Sequence, residues 1–167
     1  MGRTKVDYGC DASIRKTLNE AIESLCRNGF CDAGTVYSRK VKYMNGGPLT
    51  TAWSRVEIEG TYDGPQTRGN VQKAVEKMIT PDTAVPAIRR YSTGNNWNPI
   101  NQRCKMSKFS NYIHVHKQFN PPVNIQIRIS LHTTNSNCIA QDILNTVAGT
   151  INPVAGGFFG LLSLNCK

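Results

Sequence analysis

The stretch that decides the fold is "NYIHVHKQFNPPVNIQIRISLH", residues 111–132. Apolar and polar side chains alternate on both sides of its two prolines, and the second half carries valine, isoleucine or leucine at every other residue. A period of two is typical of a strand with one buried side. Pro121 and Pro122 cannot sit in a central ladder, so the chain turns there. The stretch therefore predicts a hairpin with one apolar and one polar face.

The polar face of this hairpin carries residue types that can cleave a phosphodiester. His114 and His116 point to one side of the first strand, and Arg128 points to the same side of the second strand. If Phe119 pairs with Val123, His114 lies opposite Arg128. A histidine base, a histidine acid and an arginine are what cleavage by a neighbouring 2′-hydroxyl group needs.

The missing carboxylate argues against this catalytic hypothesis. After residue 90 the chain holds a single acidic side chain, Asp142. Glu57 or Glu59 can complete a site only if their strand neighbours the hairpin. Polar residues point outward on any one-sided sheet, so we favour no catalytic residue. If the protein is an enzyme, the candidates are His114, His116, Arg128 and Glu57.

A metal site is the other chemistry that these histidines suggest. The pattern His114-x-His116 points two imidazoles to one side of a strand, and His132 would be the third ligand. The sequence supplies no acidic ligand nearby, and a metal site needs a full ligand set. We therefore expect neither a metal nor a cofactor.

The remaining patterns predict the fold class. Apolar residues recur at helical spacing in residues 11–29, 71–79 and about 136–151, which predicts three helices. Alternating strands are predicted at 35–43 and 53–62, and a closing strand at 158–166. Together these elements predict an α+β domain, a mostly antiparallel sheet with about three helices packed on one face and stabilised by disulfides.

The length of 167 residues fits one domain, residues 1–167. Residues 92–104 are polar, lack a period and contain Trp97, so a subdivision of the chain would fall there. Three cysteines lie on either side of this segment. An odd number on each side forces a bridge across it if all six are paired, which argues against two independent domains.

The cysteines indicate an oxidising compartment. Their number is even, they span the chain, and no Cys-x-x-Cys occurs, which disfavours zinc ribbons and thioredoxin-like sites. We expect three disulfides, and a bridge from Cys10 to Cys166 that ties both ends of the chain into the sheet. Six cysteines allow fifteen pairings, and the sequence does not choose among them. The six are Cys10, Cys26, Cys31, Cys104, Cys138 and Cys166.

The net charge of +9 favours anionic partners such as RNA, acidic glycans or anionic lipid. The beginning "MGRTKVDYGC" lacks the apolar region of a signal peptide, so a secreted protein would be present here in its mature form. The most apolar stretch, residues 138–166, is broken by polar residues, proline and glycines and predicts no transmembrane segment.

One stretch resembles a known class of proteins. "DYGCDASIRKTLNEAIESLC" followed by "GTVYSRKVKY" covers residues 7–43, apart from a short gap, and resembles the beginning of guanyl-specific fungal ribonucleases. Those enzymes also run through a cysteine, an amphipathic helix, a cysteine and a tyrosine-bearing strand. The motif Tyr8-Gly9-Cys10 is similar to the Tyr-x-Cys that opens ribonuclease-like effectors of plant-pathogenic fungi. The enzymes carry a histidine just after the strand tyrosine, where this chain has Ser38 and Arg39.

The resemblance implies a small secreted cysteine-rich protein, similar to fungal effectors or killer toxins. We therefore favour an extracellular effector or toxin of fungal type that binds a host or target-cell protein and is not an enzyme. The alternative is a ribonuclease-like phosphodiesterase that uses the hairpin face of residues 111–132. A second alternative is a basic nucleic-acid-binding domain, although the sequence motifs of RNA-binding modules are absent.

The charge pattern predicts weak polyanion binding without sequence preference. The expected binding residues are Lys40, Lys42, Arg89, Arg90 and Trp97. Because counterion release drives such binding, affinity for RNA or heparin should fall steeply between 50 and 200 mM salt, by about ten-fold or more. Fluorescence anisotropy across a salt series measures this slope. A salt-independent affinity for one particular sequence would contradict the prediction.

Overall fold

The computed structural model describes residues 1–95, 98–118 and 122–133. Residues 1–131 form one compact unit, and residues 132–167 form another, of which His132 and Thr133 are described. The elements are β1 (Lys5–Cys10), α1 (Ile14–Leu25), β2 (Cys26–Arg27), β3 (Phe30–Cys31), β4 (Val36–Tyr43), β5 (Thr50–Tyr62), α2 (Gly64–Met78), β6 (Val85–Asn95), β7 (Asn98–Ser110), β8 (Tyr112–Lys117) and β9 (Val123–Thr133).

Helix α1 is built as its sequence predicts. Ser13 caps its beginning, and the hydroxyl oxygen accepts a hydrogen bond from the Lys16 backbone N–H at 3.3 Å. One stripe of the helix is buried, and each fully buried aliphatic side chain stabilises the fold by about 1.5–3 kcal/mol. The buried residues are Ile14, Thr17, Leu18, Ala21, Ile22 and Leu25.

Helix α2 packs into the same core as α1. It begins after Asp63, carries a proline in its first turn, and ends at Met78, before Pro81. Its side chains Val71 and Val75 are buried. The amide of Asn19 in α1 donates to the Glu76 carboxylate of α2 at 2.5 Å, which holds the two helices side by side. The strand residues that share this core are Val56, Ile58, Ile113, Ile125, Ile127 and Ile129.

One antiparallel sheet organises the described chain. The strand order is β2-β3-β5-β4-β1-β7-β6, and β9 pairs with both β5 and β8. Strand β5 is long enough to pair with β4 along one half and with β3 near its end. It also takes β9 as a partner, which joins the predicted hairpin of β8 and β9 to the rest of the sheet.

Gly60 makes the approach of β9 to β5 possible. Its φ is +128°, and a Cβ at this position would collide with the backbone of Asn124 and Ile125 in β9. A larger residue would therefore separate the two backbones. The pairing of β5 with β9 depends on the absence of a side chain at this point.

The expectation of about three helices packed on one face is wrong for the described chain, which contains two helices and nine strands. Within the segment 92–104, which lacks a period, residues 92–95 and 98–104 are strand rather than irregular structure. They belong to the hairpin of β6 and β7, in which Arg90 lies opposite Arg103 and Ser92 opposite Asn101. This part of the sequence is mostly polar, so it shows no alternation of apolar and polar residues. The helix predicted at 136–151 and the closing strand at 158–166 lie outside the described residues.

The expected bridge from Cys10 to Cys166 is also wrong. Cys10 bonds to Cys104, which fastens β1 to β7, and Cys26 bonds to Cys31 across the short pair of β2 and β3. No described cysteine is free. Cys138 and Cys166 lie outside the described residues.

The two disulfides close loops of very different length, and their contributions to stability should differ accordingly. The sequence separations are 94 and 5 residues. In the chain-entropy model, the first bridge contributes about 4–5 kcal/mol and the second about 2 kcal/mol. In urea unfolding, we expect the double variant Cys10→Ser/Cys104→Ser to lose about 2–3 kcal/mol more stability than Cys26→Ser/Cys31→Ser. Equal losses in the two variants would show that local strain or packing outweighs loop closure.

Candidate functional site

Three neighbouring strands present polar side chains to the side of the sheet opposite the helices. Strand β9 lies between β5 and β8, and their alternate residues fill the core that α1 and α2 cover. We call the outward set the polar face. It consists of Glu57 and Glu59 from β5, Asn124, Gln126 and Arg128 from β9, and Tyr112, His114 and His116 from β8.

The register of β8 on β9 differs from the predicted one by a shift of two residues. His114 lies opposite Gln126 rather than Arg128, and Tyr112 takes the place opposite Arg128. The cause is the connection, because Lys117 rather than Phe119 pairs with Val123. A shift of two keeps every side chain on its predicted face, so His114 and Arg128 still point to the same side.

Hydrogen bonds fix the β8 side of the polar face. The Tyr112 hydroxyl donates to Gln126 Oε1 at 2.9 Å. A hydrogen bond of 2.8 Å joins His114 Nε2 and Asn124 Oδ1. The ring of His116 is 5.8 Å from that of His114, and both rings are exposed. The imidazole of His114 is therefore exposed to solvent but fixed in orientation by its hydrogen bond to Asn124.

The β5 side of the polar face carries two half-buried carboxylates near one guanidinium. Burial raises the pKa of Glu57, and the charges of Arg128 and Arg55 oppose this shift. Burial also raises the pKa of Glu59, again opposed by Arg128, while Glu57 adds to it. In both carboxylates the cost of burial outweighs the attraction of the arginine. A carboxylate whose pKa is raised is a better proton acceptor than an ordinary surface glutamate.

The polar face holds a carboxylate on β5 and an imidazole on β8, on the two sides of the strand that carries Arg128. On β8, Tyr112 lies opposite Arg128, and His114 is the next outward residue. Neighbouring strands lie about 4.8 Å apart, so side chains of β5 and β8 stand roughly 10 Å from each other across β9. A phosphate group placed over β9 would contact the Arg128 guanidinium and have Glu57 on one side and His114 on the other. This arrangement can supply a base, a cation and an acid to one reacting centre.

The predicted binding residues fall in two separate regions. Lys40 and Lys42 are exposed on β4, on the same side of the sheet as Glu57, because Glu57 lies opposite Val36 and side chains alternate. Arg89 and Arg90 lie on β6, three strands away from β4 in the sheet order. Trp97 lies outside the described residues. The lysines therefore extend the polar face, and the arginines do not.

Two residues of β5 that we did not predict as site residues also point to this side. Trp53 and Arg55 precede Glu57 in the same alternation, and both are exposed. The pattern "WSRVEIEG" carried the signal, because its outward positions are tryptophan, arginine, glutamate and glutamate. These residues and those of the hairpin form one surface only because β5 lies beside β9 in the sheet.

Tyr37 of β4, the strand that we compared with the fungal ribonucleases, points to the helix side of the sheet. The Tyr37 hydroxyl donates to Glu20 Oε2 at 2.6 Å, and Arg39 Nη1 lies 3.3 Å from the same oxygen. Glu20 belongs to α1, so both side chains face the helix. Tyr37 and Arg39 therefore contribute nothing to the polar face.

No protein-family model, no curated protein and no solved structure matches this chain. Within the described ranges, no helix combines the length and the apolar character needed to cross a membrane. Among the same residues, no group of three or more histidine, cysteine, aspartate and glutamate side chains is placed to hold a metal ion.

Because the pKa of Glu57 is raised, removing its charge should increase the free energy of unfolding, and the increase should depend on pH. A carboxyl whose folded pKa is raised stabilises the fold at low pH, and this stability is lost as pH rises through the folded pKa. Glu57→Gln, which is neutral at every pH, should therefore have a larger free energy of unfolding than the wild type at pH 7. The two proteins should become equal below the usual titration range of glutamate. Urea unfolding at several pH values measures the difference.

Glu20 is the matched control for this experiment. Its pKa is lowered, chiefly by the hydrogen bond from Tyr37, so its charge stabilises the fold above the unfolded pKa. Glu20→Gln should therefore destabilise the protein at pH 7 and converge with the wild type in acid. The same sign for both variants would show that the polar face does not bury Glu57 as described.

Proposed function

We propose that this protein is a secreted, ribonuclease-like phosphodiesterase whose polar face binds and cleaves RNA. One observation carries the proposal: β9 pairs with both β5 and β8, so Glu57 reaches the face that holds Arg128 and His114. The sequence argued against catalysis because no carboxylate lay near the hairpin. In the fold, β5 neighbours β9 and brings Glu57 and Glu59 beside the hairpin, which no local sequence pattern predicts.

Three residues of the polar face, Glu57, Arg128 and His114, have roles in this reaction. Glu57 accepts the proton of the 2′-hydroxyl, whose oxygen attacks the phosphorus atom. The Arg128 guanidinium binds the phosphate oxygens and stabilises their charge in the transition state. The phosphorus–O5′ bond breaks, and protonated His114 gives its proton to the leaving O5′. The products are a 2′,3′-cyclic phosphate and a free 5′-hydroxyl group.

The chemistry and the setting of the protein agree with this role. Exposed Lys40 and Lys42 lie on the same side of the sheet and attract the RNA backbone. The net charge of +9 raises the encounter rate with a polyanion. The disulfides of the described chain fit an oxidising compartment, which supports secretion.

A second candidate is an effector of fungal type that binds a host or target-cell component without catalysis. The observation that favours it is the orientation of Tyr37 and Arg39 toward Glu20 of α1. The fungal ribonucleases that the chain resembles carry catalytic residues on this strand. If this strand supplies no catalytic residue, the polar face can act as a binding surface without catalysis.

An RNA-cleavage assay separates the two candidates. The disulfide-intact protein should convert a single-stranded RNA to fragments that end in a 2′,3′-cyclic phosphate, with a bell-shaped pH dependence. Glu57→Gln and His114→Ala should each lower kcat/KM by about 100-fold or more. Arg128→Ala should lower kcat/KM as well, whereas His116→Ala should have a smaller effect because His116 lies farther from Arg128 along β8.

Arg103→Ala is the matched control, because it removes an exposed arginine on β7, away from the polar face. It should leave kcat unchanged, and each variant must retain the urea midpoint of a folded protein. Absence of cleavage by the wild type across pH 4–9 would exclude the enzyme. Binding of RNA that survives without cleavage would then support the second candidate.

A further inference from the structure

Trp53 is exposed at a position that the sheet fixes. Its side chain is 38% exposed, and it lies in neither core cluster. Its neighbours Ala52 and Ser54 are buried, and β4 pairs with β5 without a break from Val36 to Tyr43. The outward direction of the ring is therefore set by an uninterrupted register, not by a fraying strand end. A large aromatic ring held outward in this way suits a binding surface.

Cations surround this ring on the same side of the sheet. Lys40 lies directly opposite Trp53 on β4, and Arg55 is the next outward residue along β5. Lys42 lies opposite Thr51, the outward residue on the other side of Trp53 along the strand. None of these positions carries an acid, so the ring sits in a patch of positive charge. We call Trp53, Lys40, Lys42 and Arg55 the tryptophan patch.

An aromatic ring between cations suits one ligand chemistry particularly well. A nucleobase stacks on an aromatic face, and the phosphates on both sides of that base are bound by lysine and arginine. The bases of a duplex are already stacked on each other, so only an unpaired base can use the ring. A ring that stacks on a base in this way selects single-stranded over double-stranded nucleic acid.

The patch lies within reach of the polar face. Trp53 and Glu57 are separated by four residues of one strand, which corresponds to about 14 Å along β5. One short single strand can therefore contact both surfaces. The rows of outward residues on β4 and β5 run continuously from the tryptophan patch to the carboxylates.

We infer that the tryptophan patch is a stacking subsite for an unpaired base, which makes single-stranded RNA the substrate of the polar face. The choice of RNA over DNA as the ligand rests on the proposed function. The stacking of a base on Trp53 does not depend on it. The test therefore uses a ligand that the polar face cannot cleave.

The probe is a fluorescein-labelled eight-nucleotide deoxythymidine strand, which lacks the 2′-hydroxyl group. A matched probe has the same backbone without bases. At 50 mM salt, the wild type should bind the thymidine strand at least about five-fold more tightly than the abasic strand. Trp53→Ala should weaken binding of the thymidine strand by about 5- to 100-fold and leave the abasic strand unchanged. Trp53→Phe should retain most of the affinity.

Controls define the result that would overturn the inference. Ile100→Ala removes an exposed apolar side chain on β7 and should change neither affinity. Lys40→Ala and Arg55→Ala should weaken both probes and reduce the salt slope. Equal affinity of the wild type for the two probes, equal affinity for a thymidine strand and a duplex of the same length, or no effect of Trp53→Ala would overturn the stacking subsite.

The outcome is separable from that of the cleavage assay. If the protein does not cleave RNA but Trp53→Ala weakens binding of the thymidine strand, the enzyme proposal fails and the subsite stands. If RNA is cleaved and the Trp53 variants bind both probes like the wild type, the subsite fails alone. Binding of an oligosaccharide in place of both strands would assign the ring to sugar recognition and overturn the inference.

Discussion

The backbone pairing of β5 with β9 is the contact on which the polar face depends, because it brings two distant parts of the chain together. Glu57 and Arg128 are separated by more than half of the described sequence. They share a surface only because β9 runs beside β5, at a point where Gly60 leaves room for the Asn124 backbone. The same contact carries β8, and with it His114, into the sheet. The carboxylates, the guanidinium and the imidazole thus share one structural cause.

The glutamates on the two sides of the sheet have opposite pKa shifts. On the helix side, Glu20 accepts from Tyr37 and pairs with Arg39, and the resulting drop in its pKa indicates a stabilising contact. On the other side, burial raises the pKa of Glu57 and Glu59 although an arginine is near. A fold selected for stability alone would pair these carboxylates more closely or replace them. Retaining a costly charge on an outward face is typical of functional sites.

Local patterns in the sequence were sufficient to predict the helices and strands that have one buried side. Alternation predicted β4, β5, β8 and β9 and the direction of their side chains, and helical spacing predicted α1 and α2. The register of β8 on β9 was wrong because it depended on the length of the connection, although a shift of two preserved the faces. The hairpin of β6 and β7 was missed because residues 92–104 are mostly polar and show no alternation. Which strand neighbours β9, and which cysteine pairs with Cys10, depend on contacts between distant residues that no local pattern encodes.

The position of β1 has a consequence for the synthesis of the protein. This first strand lies between β4 and β7, and Val6 pairs with Phe109. At about 5–20 residues per second, a ribosome needs roughly 5–20 s to make the second partner after the first strand has emerged. During that time one edge of β1 is open, and Cys10 meets Cys26 and Cys31 before Cys104 exists. Cys10 can therefore form a wrong disulfide with Cys26 or Cys31 before Cys104 is synthesised. The yield of correctly paired protein should then depend on catalysts of thiol–disulfide exchange in the compartment where the chain folds.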